Sequence, residues 1–157
     1  MYNHATKEYK CPICLAVQGI ENDDTLIYQS DIVYQDDLVI AFISSFFIGN
    51  NPGHVLISPK KHFENIYDLP SEYGHRVFDL AQKVALALKE NRKADGITTL
   101  QCNEPAGGQH AFHYHFHVYP RFDEDNLLHQ LVDKKSCTAE ERKPFADHVK
   151  AYFKNNE

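Results

Sequence analysis

Four of the chain's ten histidines fall between His110 and His117. Within that run, Phe112-His113-Tyr114-His115-Phe116-His117-Val118-Tyr119 alternates histidine with apolar or aromatic residues. Extended backbone sends successive side chains to opposite faces, so the spacing puts His113, His115 and His117 on one face and Phe112, Tyr114, Phe116 and Val118 on the other. Alternate attachment points lie about 6.6 Å apart, which lets two neighbouring imidazoles serve one phosphate or one metal ion. The polar face of an exposed edge strand would alternate in the same way. Solvent, however, gives no reason to choose a side chain that titrates near neutrality three times in succession. Neutral imidazole is a competent nucleophile near pH 7, and protonated neighbours can offset negative charge beside it. Water activation by a zinc ion held on all three is the rival chemistry. Adjacent same-face histidines on one strand seldom reach one ion together, and no His-Glu motif lies nearby.

A second centre is Cys11-x-x-Cys14, which in a reducing compartment reads as metal or redox chemistry before a structural disulfide. Two buried apolar thiols are the blander alternative. Cys102 and Cys137 have no partners at metal spacing, and Cys102 is expected to pack within a strand. His4, His75, His129 and His148 are expected to be solvated or packing residues, and Lys60, Lys61 and Arg121 to flank the histidine-bearing strands.

Positioning these groups takes a sheet. Apolar segments at 25–30, 32–35 and 38–43 are short, β-branched and aromatic, with turns at Asp31 and Asp36-Asp37, and they predict strands. Asn50-Asn51-Pro52-Gly53 is a turn before a strand at 54–58, and 46–50 is expected to be a loop. Pro70-Ser71 opens a helix carrying Tyr73, Val77, Leu80, Ala81, Val84 and Leu88 at steps of three and four, with Gly96 as its stop. Strands follow at 97–103 and 111–121, joined by the Pro105-Ala106-Gly107-Gly108 turn. Thr138-x-x-Glu141 forms a capping-box pattern for a last helix that is either kinked at Pro144 or starts there. The order predicts an α+β fold: an antiparallel sheet of about five strands, one long helix packed on it and a C-terminal helix.

The 157 residues, 43% hydrophobic and 12% aromatic, suit a single domain with its own core. With 16 basic against 22 acidic side chains the formal net charge is −6, which argues against nonspecific binding to nucleic acid. No run of about 20 apolar residues suggests a membrane span, and the polar stretch from Met1 to Lys10 lacks a signal-peptide core, so a cytoplasmic protein is expected.

Gly107-Gly108-Gln109-His110-Ala111-Phe112-His113-Tyr114-His115-Phe116-His117-Val118 closely resembles the signature of the histidine triad (HIT) superfamily, His-φ-His-φ-His-φ-φ preceded by Gly-Gln. The block from Asn51 to His62 resembles the family's second hallmark strand, which ends in Pro-Lys-x-His, and Asn103-Glu104 matches the strand before the Gly-rich turn. With Cys11-x-x-Cys14 the resemblance covers residues 11–121. It implies one HIT domain over 1–157, with core signature 11–121 and a C-terminal extension, 122–157, that shapes the leaving-group pocket or a dimer.

The implied activity is that of a nucleotide hydrolase or nucleotidyl transferase at the α-phosphorus. A metallohydrolase with zinc on the histidine strand, or a nucleotide-binding module without turnover, are the alternatives. In the implied site His115 is the nucleophile and His117 and His54 contact phosphate oxygens. Gln109 and the Gly107-Gly108 backbone lie beside them, Asn103 lies near the ribose and phosphate, and Ile13 and Phe42 wall the base. Ser44 and Ser45 occupy the stretch where relatives commonly hold the ribose with Asp, and His110 stands where many have Ser or Thr. Zinc-containing relatives imply a structural zinc on Cys11, Cys14, His62 and His113. Homodimers form in the family through a helix and an edge strand, here the helix from Ser71 to Asn91 and the strand from Ile97 to Asn103.

Overall fold

The computed structural model describes residues 2–131 and 134–156. Two strands, β2 (Val39–Ile43) and β4 (Val55–Pro59), are buried at every position, so their unbroken apolar runs take the middle of the sheet, where both faces are covered. Around them lie β1 (Ile32–Gln35), β5 (Gly96–Gln101) and β6 (Phe116–Arg121), in the order β1-β2-β4-β6-β5 with all neighbours antiparallel. Strand periodicity divides β2: Val39, Ala41 and Ile43 join one core, Ile40 and Phe42 the other.

The first core is covered by α2 (Ser71–Arg92), whose Val77, Leu80, Val84 and Leu88 are fully buried at the expected spacing. Each contributes roughly 1.5–3 kcal/mol of apolar burial. The helix ends at Arg92, one residue past the expected Asn91: Lys93 takes the left-handed conformation at φ 51°, and Gly96 opens β5 instead of serving as the stop. On the opposite face, α1 (Pro12–Gln18) presses Ile13 and Ala16 against Ile40, Phe42 and Leu56.

Three expectations change. Residues 25–28 are irregular and bent and lead into a short 3-10 segment, Gln29–Asp31, because the Asp31 carboxylate accepts the Tyr28 N–H at 2.8 Å and closes the chain on itself. The expected loop at 46–50 contains β3 (Phe46–Ile48), which pairs with β7 (Lys134–Ser136) of the C-terminal extension in a separate two-stranded sheet. The strand expected from 111 begins only at Phe116, because Tyr114 N–H donates to the Phe63 carbonyl, outside the sheet ladder. The side-chain alternation persists without the ladder: Tyr114, Phe116 and Val118 all enter the core beneath α2.

The extension is tied down. A short helix, α3 (Leu127–Gln130), carries His129, and α4 (Ala139–Asn155) starts at the Thr138–Glu141 capping box and runs through Pro144. Buried Arg142 donates to both carboxylate oxygens of Asp31 at 2.8 Å and to the Cys137 carbonyl. Asp31→Leu leaves that guanidinium buried without its counterion and is expected to lower stability by about 3–5 kcal/mol in urea unfolding. The double variant Asp31→Leu/Arg142→Met is expected to recover most of the loss. A loss under about 1 kcal/mol in the single variant would contradict this account.

Candidate active site and metal centre

A Cys-x-x-Cys sequence on the first turn of a helix brings both thiols to one end. Here Cys11 is the N-cap of α1, its sulfur accepting the Cys14 N–H, and Pro12 follows at the first helical position, where no N–H is needed. Chain continuing from β4 brings His62, and a bend ahead of β6 brings His113. Cys11 Sγ lies 3.3 Å from His113 Nδ1, Cys14 Sγ 3.3 Å from His62 Nδ1 and 3.6 Å from His113 Nδ1, and the four donor atoms lie within 4.8 Å of one another.

Zinc bond lengths of about 2.3 Å to sulfur and 2.0–2.1 Å to nitrogen, at the tetrahedral angle, place sulfur and nitrogen about 3.5 Å apart. The residues therefore fit a zinc ion. His113 is also oriented for it: Nε2–H donates to the Pro59 carbonyl at 2.9 Å, which leaves the Nδ1 lone pair facing the sulfurs. Contact with Cys11, then with His113 and His62, lowers the Cys14 thiol, while Cys14 and burial push Cys11 up. A dication bound there would favour the thiolate form of both cysteines.

Beside this cluster opens a cavity of about 450 Å³, lined by His54, His115 and His117 among mostly apolar side chains. His115 Nδ1 lies 2.7 Å from the His113 carbonyl. A carbonyl only accepts, so Nδ1 carries the proton and Nε2 keeps its lone pair. His117 Nδ1 is 3.3 Å from His54 Nε2 and 3.2 Å from the Tyr119 hydroxyl, and the His54 ring stacks on Tyr119 at 4.3 Å between centroids. Burial holds all three imidazoles neutral at neutral pH: His54 is pushed down to about 3, His115 to about 4 and His117 well below its usual value. The protonated neighbours expected from the sequence are thus neutral in the free protein. Among the described residues His54 Nδ1, which is buried, has no hydrogen-bond partner, a polar atom that a ligand would satisfy.

Of the nucleotide-contacting residues expected, Ile13, Phe42, Ser44, Gly107 and Gly108 line the cavity, as does His110. Ser44 Oγ accepts the Phe46 N–H and keeps its own proton to donate. Asn103 and Gln109 lie outside that lining and act as braces. Asn103 Oδ1 accepts the Ile66 N–H at 2.8 Å. Buried Gln109 accepts the Glu104 N–H at 2.7 Å and donates to the carbonyls of Glu64 and Ala111. It thereby holds Glu104 at φ 60°, an unfavourable conformation for a residue with a Cβ, and sets the path of the Gly107-Gly108 turn. Cys102 lines the cavity instead of packing within β5, which ends at Gln101. Arg121 is committed to Asp125 and Thr98.

Tyr119 and Lys134 also line the cavity and were missed in the sequence. Tyr119 continues the odd-numbered alternation of the histidines, a readable signal. Lys134 lies in a polar tail that carries none.

The family model of the HIT domain matches residues 26–124. An uncharacterised HIT-like protein of Saccharolobus solfataricus is 32% identical over 131 residues, covering 83% of this chain and 88% of its own length. A bis(5'-adenosyl)-triphosphatase of Dictyostelium discoideum is 27% identical over 137 residues, covering 83% of this chain and 91% of its own. Among solved structures, a zinc-bound histidine triad family protein from Mycobacterium smegmatis superposes with a TM-score of 0.75 at 24% identity, over 94% of this chain and 95% of that one. At that identity the likeness speaks for the fold.

Proposed function

Because the chain belongs to the HIT-domain family, we propose that it hydrolyses, or transfers, the nucleotidyl group of a nucleoside phosphate derivative through a covalent intermediate on His115. Kinship with a bis(5'-adenosyl)-triphosphatase supports hydrolase activity on a nucleotide substrate. The covalent reading is carried by one observation: the His113 carbonyl holds the Nδ1–H of His115, so Nε2 enters the cavity wall as a free base. A phosphoramidate, a dinucleoside polyphosphate or a similar compound would meet the same chemistry.

In this mechanism the Nε2 lone pair forms a bond to the α-phosphorus as the bond to the leaving group breaks. That group departs with the electron pair and takes any proton it needs from solvent. The imidazole, still protonated at Nδ1, becomes a phosphorylated imidazolium. Water then attacks phosphorus from the vacated side and releases one proton. The N–P bond returns its electrons to Nε2, restoring neutral His115. His117 and His54 hold the phosphate oxygens, Gly107 and Gly108 let backbone approach them, and Ile13, Phe42 and Ser44 receive the nucleoside. Asn103 and Gln109 serve by bracing the loop. A turnover panel of adenosine phosphoramidate, diadenosine polyphosphates and nucleotide sugars, with mass spectrometry of quenched protein, tests this. An adduct at His115 is the expected result, and turnover with no adduct would defeat the covalent route.

Cys11, Cys14, His62 and His113 would hold a zinc ion whose contribution is structural, cross-linking α1 to the segments that carry His62 and His113. The same cluster favours a second reading, because one of its ligands is a triad histidine: a metal-centred hydrolase, or a nucleotide-binding module without turnover. Against a catalytic metal stands the ligand count, since four protein donors leave a tetrahedral ion no position for water.

No helix among the described residues is long and apolar enough to cross a membrane. A reduced cysteine pair suits the cytoplasm, which we take as the compartment, and the acidic balance disfavours nucleic acid as a partner. Among the described residues no strand lies beside the outer edge of β5, and α2 exposes Phe78 and Leu86. Pairing of two copies would cover both features, as unprotected edges require. Light scattering at micromolar concentration is expected to give twice the 18.1 kDa chain mass, and a monomer would refute the dimer.

A further inference from the structure

The cavity has an uneven charge. Among the described residues that line it, Lys134 is the lone ammonium, and no carboxylate or guanidinium accompanies it. It arrives from outside the core signature, on β7, the strand that the C-terminal extension lays against β3.

That strand is anchored along its length. Lys134, Lys135 and Ser136 face Ile48, Phe47 and Phe46 in register, and the next residue, Cys137, donates its N–H to the Ser45 carbonyl at 3.1 Å and its thiol to the same oxygen at 3.2 Å. Arg142 then holds the Cys137 carbonyl while bound to Asp31. The stem of Lys134 therefore leaves a fixed backbone. It shares the cavity wall with His54, His115 and His117.

We propose that Lys134 is a specificity-determining residue that binds the phosphate of the leaving group, so that the site selects nucleotides whose α-phosphorus is joined through an anhydride to a further phosphate. The inference rests on the hydrolase reading above and narrows its substrate class. Imidazoles supply directed hydrogen bonds, and an anhydride leaving group gains negative charge as its bond to phosphorus breaks. An ammonium in the same cavity offsets that charge. A site built for a cationic amine as leaving group would instead present a carboxylate. The bond changes are those already described: the bridging oxygen leaves with the electron pair of its bond to the α-phosphorus, and Lys134 keeps its protons throughout.

The test compares wild type, Lys134→Gln and Lys134→Arg on diadenosine triphosphate and on adenosine phosphoramidate, with calorimetric binding of ADP and AMP as a second readout. In Lys134→Gln, kcat/KM for diadenosine triphosphate is expected to fall about ten- to hundredfold, the range of one charge-assisted contact, and at least tenfold more than for the phosphoramidate. Lys134→Arg should recover most of it, and the preference of wild type for ADP over AMP should shrink in Lys134→Gln. Equal losses on both substrates, or no loss on either, would overturn the inference while leaving the hydrolase reading intact. A diadenosine substrate and a nucleotide sugar share the second phosphate, and comparing the two in wild type separates them as sources. Wild type that turns over none of these compounds would overturn the hydrolase reading and this inference with it.

Discussion

His115→Asn should bind nucleotide about as well as wild type and lose turnover by about four orders of magnitude or more, the scale on which removal of a covalent nucleophile is felt. Asparagine can still reach the His113 carbonyl with an amide N–H, so the wall of the cavity keeps its shape. It has no lone pair to offer in place of Nε2. His117→Asn should be milder, about one to three orders, because His117 supplies a hydrogen bond whose loss leaves the nucleophile in place. It also removes the group that holds His54 Nε2 and the Tyr119 hydroxyl, so part of its effect should appear as weaker nucleotide binding. Single-turnover kinetics with mass spectrometry separate these outcomes: no adduct in His115→Asn, a slowly formed adduct in His117→Asn. Near-normal turnover by His115→Asn would end the covalent mechanism.

The alternation from His113 to Tyr119 is legible in sequence because side-chain direction depends on extended backbone, not on a sheet ladder. That is why Tyr114, Phe116 and Val118 reach the core although β6 begins only at Phe116. The same period hides a division of labour. His113 turns its Nδ1 to the cysteines, while His115 and His117 meet His54, and this follows from hydrogen bonds to the carbonyls of Pro59 and His113 that no spacing encodes. The helix at 71–92 is readable from its stripe, but the residue that stops it is not: Lys93, not Gly96, takes the left-handed conformation that favours glycine. Residues 46–48 read as a loop because their strand partner is Lys134-Lys135-Ser136, a polar triplet far along the chain. Lys134 was invisible for the same reason: its place in the cavity depends on the Arg142–Asp31 pair and on Cys137, which are long-range contacts. Gln109 and Asn103 lie outside the cavity lining, their amides spent on backbone groups of the loops they brace, and such bracing bonds leave no trace in residue spacing.

Removing the metal should damage stability far more than chemistry. Protein purified without chelator is expected to carry about one zinc per chain, as a closed four-ligand site requires. An ion bound at about a thousand times its dissociation constant contributes about 4 kcal/mol to folding. For a chain of this size that corresponds to roughly 8–16 °C in Tm, so Cys14→Ala and chelated wild type should both unfold earlier by about that amount. The chemical consequence passes through His113 alone. Its ring would be held by the metal and its carbonyl holds His115, so loss of the ion loosens the nucleophile without touching phosphorus. Activity under chelation should therefore decline in step with unfolding, measured by circular dichroism on the same sample, and persist in the fraction that stays folded. If the ion instead activated water, chelator would silence folded protein at once and zinc would restore it at once. That second pattern, with Cys14→Ala folded and inactive, would shift the assignment to a catalytic metal on His113. Protein that contains no zinc and whose melting is indifferent to chelator would remove the metal centre altogether.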